Sequence, residues 1–261
     1  MGEKNVADKY GTKKVQEYLL PILIDIDRFC RENKIEYSLA GGCLLGAVRH
    51  HGFVPWDDDA DLVFDRKNYE KFMALSDKLS PEYVITGSIW VNRITRTDNP
   101  RIEQEEGCID LFVLDHVPDS KLYASVKHLT LKMLQGMMKK RLEYQHFSFK
   151  NRVLMFVTHL MGMPFTQNAK RSMYNRVSQW GNKKQTKYIN NYVTYFDMID
   201  SVRFHSDLTD GYIDVLFEGQ KLRAFRRYDH VLTVRFGDYM TPPPESKRVQ
   251  KHLRRDIEGG F

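Results

Sequence analysis

Apolar residues at Val15, Leu19, Ile22, Ile26 and Phe29 follow one another at spacings of four, three, four and three, the period of one helical face. Residues 13–33 are therefore expected to form an amphipathic helix, and Pro21 inside the pattern is expected to kink it or split off a first turn. Tyr37 to Ala40 then reads as a short strand, followed by a Gly41-Gly42 turn and a short apolar helix, Leu44 to Val48. A loop from His50 to Asp58 leads into a strand from Ala60 to Phe64, and Asp65 is placed to cap a helix running from about Asn68 to Leu79. Tyr83 to Thr86 and Ile89 to Thr95 read as a strand pair turned at Gly87-Ser88, and Cys108 to Leu114 as a further strand. Residues 121–180 are mostly helical with a break near Pro164. Strands and short helices return after Tyr192, and Pro242-Pro243-Pro244 ends the last element. Strands at both ends with helices between them predict the α/β (α+β) class: a mixed-sheet core interrupted by a helical insertion. Residues 1–120 would supply the first part of the core, 121–190 the insertion and 191–261 the remainder.

Composition narrows this picture. The 261 residues are 42% hydrophobic and 28% charged, which suits a folded chain that buries its own core. Cys30, Cys43 and Cys108 show no paired spacing, so a disulfide framework and a cysteine zinc site are not expected and a reducing compartment is. The polar start, Met1 to Lys14, does not read as a signal peptide, and no run of eighteen apolar residues could span a membrane. The net charge of +6 hides an asymmetry. Residues 121–190 hold fourteen Lys and Arg and one acid, Glu143, whereas the rest of the chain is net negative. Such a stretch meets phosphate or forms a solvated helix surface. Within it Leu131, Met133, Leu134, Met137 and Met138 sit among Lys127, Lys132, Lys139, Lys140 and Arg141. That pattern suits peripheral contact with an anionic membrane, a cradle for an anionic polymer, or adaptable core. No zinc-finger, RRM or homeodomain pattern supports a nucleic-acid-binding module, so no specific nucleic acid is expected as partner.

The candidate chemistry lies between Gly41 and Leu62. Asp57, Asp58, Asp59 and Asp61 place four carboxylates within five residues, which repel one another strongly in any dry site. Asp59 and Asp61 are two apart on the expected strand and share a face. Oxygen ligands so placed suit Mg²⁺ or Mn²⁺ and leave positions open for substrate phosphates. Asp57 and Asp58 are assigned to the turn as solvating or capping groups. Gly41-Gly42 would let a phosphate approach the backbone at the start of a helix. Asp110 stands among apolar neighbours, where an unpaired carboxylate is costly. It would share the metal, take a proton from an acceptor hydroxyl, or be bonded to backbone N–H groups or an arginine. Arg49 would reach a diphosphate with its planar fork, or pair with the aspartates. Trp56 is either a stacking face or a packed plug. His50 and His51 are read as surface or hydrogen-bonding groups, because no second histidine stands at ligand spacing.

Two carboxylates on one strand, a third from a distant strand and a preceding Gly-Gly resemble the nucleotidyltransferase arrangement. The run Gly41-Gly42, Leu44-Leu45-Gly46-Ala47, Arg49-His50, Gly52-Phe53-Val54-Pro55-Trp56-Asp57-Asp58-Asp59 and Asp61-Leu62 resembles the signature of the LicD phosphocholine transferase family, which is similar in turn to fukutin and fukutin-related protein. Phe217-Glu218-Gly219, Tyr228-Asp229, Gly237-Asp238-Tyr239-Met240 and Pro242-Pro243 resemble the family's C-terminal motif. The resemblance frames residues 15–248 and is thin in the helical middle. It implies a nucleotidyltransferase-like core and a cytoplasmic enzyme, at most peripheral at the inner face of the membrane. The reaction implied is transfer of phosphocholine from CDP-choline to a hydroxyl of a bacterial surface glycan, of teichoic acid or lipooligosaccharide (lipopolysaccharide) type and lipid-linked in some cases, with release of CMP. Asp59 and Asp61 would hold Mg²⁺, Asp110 would be the third carboxylate, and Gly41-Gly42 would lie against the diphosphate. A choline head would need an aromatic cage, for which Tyr192, Tyr195, Phe196 and Tyr212 are candidates. The alternatives are a CDP-ribitol-type phospho-alditol transferase, a nucleotidyltransferase that modifies a small molecule and releases pyrophosphate, and an inactive regulator that keeps the fold.

Overall fold

The helical period between Val15 and Phe29 forms α1 (Lys13–Glu32), a single helix that passes through Pro21. Pro21 lies on the exposed side, so its ring meets solvent while Leu19, Ile22, Leu23 and Ile26 turn inward. The computed structural model describes residues 8–87, 91–102, 106–138, 149–191 and 204–250. The chain divides into two compact units. Met1–Thr86, Asn92–Val113 and Leu208–Phe261 form the first; Gly87–Val91 and Leu114–Asp207 form the second.

In the first unit α1 is followed by β1 (Ser38–Leu39), α2 (Gly41–His50), β2 (Ala60–Asp65), α3 (Arg66–Leu75), β3 (Tyr83–Gly87), β4 (Asn92–Arg96) and β5 (Ile109–Val117), which continues into the second unit. The strands are ordered β1-β2-β5-β4-β3. β1 runs antiparallel to β2, with Ser38 opposite Val63, and β4 antiparallel to β5, with Arg93 opposite Asp110. β2 is buried from Ala60 through Phe64, as a central strand covered on both faces must be. Phe64, Phe72 and Phe29 interlock in tilted and edge contacts at 5.3 and 5.7 Å, tying α3 and α1 to the sheet. Asp65 caps α3 as expected, its carboxylate accepting from the Asn68 N–H at 2.7 Å.

The unit is completed by β8 (Tyr212–Phe217), β9 (Gln220–Phe225) and α7 (Tyr228–Phe236). The β8–β9 hairpin docks on β1 and α1. The Ser38 hydroxyl accepts from Phe225 N at 3.0 Å, and Arg31 donates to Asp214 at 2.9 Å.

The second unit carries α4 (Lys121–Met138), α5 (Phe149–Gly162) and α6 (Gln167–Ser178), with β6 (Tyr188–Asn190) paired to the end of β5 and β7 (Phe204–His205) paired to β6. The break near Pro164 separates α5 from α6, whose first turn is capped by Thr166. The core contains Val117, Ala124, Leu131, Leu134, Met137, Met138, Tyr174 and Val177. The Met-rich face of α4 is therefore interior, because it is the stripe that meets α6. Two lysines of the basic stretch are interior as well. Lys127 Nζ donates to the carbonyls of His116 (2.7 Å) and Trp180 (2.9 Å), and Lys170 Nζ to that of Met137 (3.0 Å).

This is an α+β, nucleotidyltransferase-like fold. The structure corrects several expected boundaries. α2 begins at Gly41, so the Gly-Gly pair is the helix's own first turn rather than a turn before it. α3 starts at Arg66, its side-chain cap standing one residue ahead. β5 extends to Val117 because β6 lengthens its pairing. A short 3₁₀ turn, Glu245–Lys247, follows the three prolines. The expected turn at Ser88, the start of the Ile89 strand, and Tyr192, Tyr195 and Phe196 lie outside the described residues.

Candidate active site

The site forms where α2 starts against β2. Gly41 has φ +53°, a left-handed value that side chains resist. A Cβ there would fall on Oδ2 of Asp61 and stand 3.2 Å from Nη1 of Arg235. A Cβ on Gly42 would fall on the carboxylate of Asp57. The two glycines are thus the surface against which two carboxylates pack. Ala40 N–H, at the helix cap, donates to the Asp61 carbonyl at 2.9 Å and fixes that approach.

The loop between α2 and β2 is held from three sides. Thr12 donates to the Pro55 carbonyl at 2.7 Å, and Gln16 donates to those of Val54 (3.0 Å) and Asp57 (2.7 Å). The backbone at Gly52–Val54 lies so close to Gly46 that a Cβ there would strike the Gly52 carbonyl. Glu218, at the tip of the β8–β9 hairpin with φ +49°, accepts from Phe53 N at 3.0 Å and donates its own N–H to the His51 carbonyl at 2.8 Å. Phe53 and Phe217 meet edge to face at 4.7 Å. Glu218→Ala should leave the Phe53 N–H unpaired and cost about 1–3 kcal/mol. Denaturant unfolding checks this; a midpoint unchanged from wild type would show that the loop is held without it.

The charge balance is unusual. Asp61 is buried, and burial together with Asp59 and Asp110 holds its carboxyl well above the usual carboxylate range, with Asp57 adding to the effect and Arg235 opposing it. Burial and the negative field of Asp61, Asp57 and Asp59 likewise push the Cys43 thiol well up. Asp110 stands on β5, the neighbour of β2, and is ion-paired with Arg93 of β4. This is the arginine-bonded alternative foreseen for it. Asp58 is buried at 3% exposure, so it is not a solvated turn group. Among the described residues no three His, Cys, Asp or Glu side chains converge closely enough, as they stand, to hold a metal ion. The donor set nevertheless fits a divalent cation. Asp59 and Asp61 offer hard oxygens, like charge and burial disfavour the Asp61 carboxylate without a cation, and Mg²⁺ commonly uses one or two carboxylates plus substrate phosphates.

Arg49 lies at the other end of α2, eight residues and about 12 Å along the axis from Gly41. It makes no ion pair with the aspartates among the described residues. Its Nη1 donates to the Tyr239 carbonyl (2.8 Å) and its Nε to His50 Nε2 (2.9 Å), while Nη2 is buried without a partner. Trp56 is half-buried with two guanidiniums over its ring, Arg49 at 5.8 Å and Arg248 at 5.2 Å. Burial and Arg248 draw Arg49 below its ordinary basicity, and burial, Arg49 and Arg248 lower that of His50. Tyr212, in β8, packs against Phe225 at 5.5 Å and so serves the hairpin.

Residues 34–134 match the family described as "LicD/FKTN/FKRP, nucleotidyltransferase domain". The chain is also 26% identical to the lipopolysaccharide cholinephosphotransferase LicD of Haemophilus influenzae, over 94% of its own length and 97% of the relative's. Residues 34–134 thus carry the LicD-type domain. Shorter likenesses join this chain to two uncharacterised rickettsial proteins. One, of Rickettsia prowazekii, is 26% identical over 44% of the chain and 40% of its own length; the other, of Rickettsia typhi, is 43% identical over 17% and 14%. The family match spans Gly41 through Asp110, and the Haemophilus likeness extends over most of the chain. Three residues of the site escaped the sequence. Arg235 gave no signal beyond standing two residues before Gly237-Asp238-Tyr239. Arg93 needed the β4–β5 register. Glu218 lay within a recognised motif but without an assigned role.

Proposed function

We propose that the chain transfers phosphocholine from CDP-choline to a hydroxyl of a bacterial surface glycan, with release of CMP and in dependence on Mg²⁺. The observation that carries this reading is the buried Asp61 against Gly41, crowded by Asp57, Asp59 and Asp110, in a chain similar along its length to a cholinephosphotransferase. Asp59 and Asp61 would hold the cation, which when bound would screen the diphosphate and the departing CMP. With the charge of the carboxylates that cover Gly41-Gly42 offset by that cation, a phosphate would approach the start of α2. Arg235 adds a guanidinium beside the same spot. Asp110 would accept the proton of the attacking hydroxyl, with Arg93 aiming its carboxylate. Arg49, whose Nη2 is unspent, and Trp56 would contact a more distant part of a substrate.

A panel of CDP-alcohols, offered with Mg²⁺ and with or without glycan acceptors, tests this by CMP release. CMP formed from CDP-choline only when acceptor is present is the expected result. A preference for CDP-ribitol would reassign the alcohol. Pyrophosphate released from a nucleoside triphosphate, with no CMP from any CDP-alcohol, would replace the reading with nucleotidyl transfer.

A further inference from the structure

α5 is anchored by a thin stripe. Met155, Thr158 and Gly162 are its buried residues among those whose side chains are described, at spacings of three and four. Thr158 lies against Gly136 of α4, and Gly162 against the backbone of Met137. From Val153 to Met161 the remaining residues of α5, apart from the half-buried His159, are apolar and face outward. Val153, Phe156, Val157, Leu160 and Met161 are each 44–50% exposed, and Met163 just beyond the helix is 68% exposed. A helix seated on a protein and facing water carries polar groups on that side, and contiguous apolar surface of this kind marks an interaction site.

The charge around it selects the occupant. Between Glu143 and Asp197 the sequence contains no acidic residue. Arg152 on α5 and Lys132 on α4 are exposed, as are Lys183, Lys184 and Lys187 of the same unit. A second copy of this surface would bring like charges together. A polynucleotide would match the charge but leave the Phe, Leu and Met side chains with nothing to contact. An anionic bilayer satisfies both features: acyl chains take the apolar side chains while headgroups take the basic flanks. We propose that the outward face of α5 docks in the interfacial layer of an anionic membrane. The surface is not the Met-rich face of α4, which is core. The inference goes beyond the transferase reading and does not depend on donor or acceptor.

Flotation of the full chain with vesicles, without nucleotide or glycan, tests it. The protein should float with phosphatidylglycerol–phosphatidylcholine vesicles, at least tenfold more than with phosphatidylcholine alone, and salt should weaken the association. The double variant Phe156→Glu, Leu160→Glu alters exposed positions, so it should melt like wild type yet lose at least nine-tenths of the bound fraction. Wild type remaining with the soluble fraction would overturn the proposal, as would a variant that floats equally well. So would light scattering that shows a dimer split by the same substitutions without any lipid binding. Because CMP release is measured separately, failure here leaves the transferase reading intact, and the reverse also holds.

Discussion

Asp61→Ala is expected to reduce CMP release from the preferred CDP-alcohol by on the order of 10³-fold or more, while the protein stays folded. The carboxylate occupies the centre of the cluster: it is buried, it abuts Gly41, and Asp59 and Asp110 act on it directly. Its removal takes away one of two candidate cation ligands and a carboxylate that Arg235 acts on. The fold should not suffer. A buried carboxylate among like charges opposes folding unless a cation offsets it, so Asp61→Asn, which keeps the shape, should melt at a higher temperature than wild type in a chelating buffer. With Mg²⁺ present that advantage should shrink, because only wild type gains from the ion. Turnover retained by Asp61→Ala with unaltered metal dependence would refute the role. A lower melting temperature for Asp61→Asn under chelation would refute the account of the charge cluster.

Gly41→Ala is the second large effect. The left-handed backbone costs an alanine about 1–2 kcal/mol, and its methyl would occupy the place of the Asp61 oxygen. With about 2–4 °C lost per kcal/mol in a chain of this size, a fall of several degrees in melting temperature is expected. The loss of activity should exceed what the stability change explains, roughly 10²-fold, because Asp61 must move and small displacements of reacting groups are expensive. Gly42→Ala provides the contrast. Gly42 has no left-handed backbone, and Asp57 beside it is only partly buried, whereas Asp61 is buried. Its stability cost should therefore be the smaller. Equal costs at the two positions would mean that backbone conformation is not what singles out Gly41.

Local rules carried much of the fold. The face of α1, the Asp65 cap, the buried run of β2 and the interruption near Pro164 each follow from a handful of neighbouring residues. What escaped was set by distant partners. Arg93 faces Asp110 because of a strand register that no single stretch specifies. Arg235 approaches Asp61 because α7 returns to the start of α2, nearly two hundred residues later in the chain. The same holds for the helical unit. Alternating apolar and basic residues in α4 and α5 look alike as text, yet α4 packs its methionines against α6 while α5 leaves most of its apolar surface uncovered. Composition announced a surface; only packing distinguished which helix presents it.

The interior ammonium of Lys127 has a practical corollary. Clasped by two main-chain oxygens and shielded from solvent, it should resist acetic anhydride while outlying lysines are acylated. Its modification would then clock the moments at which α4 lifts away, giving the helical unit an internal chemical timer of its own opening.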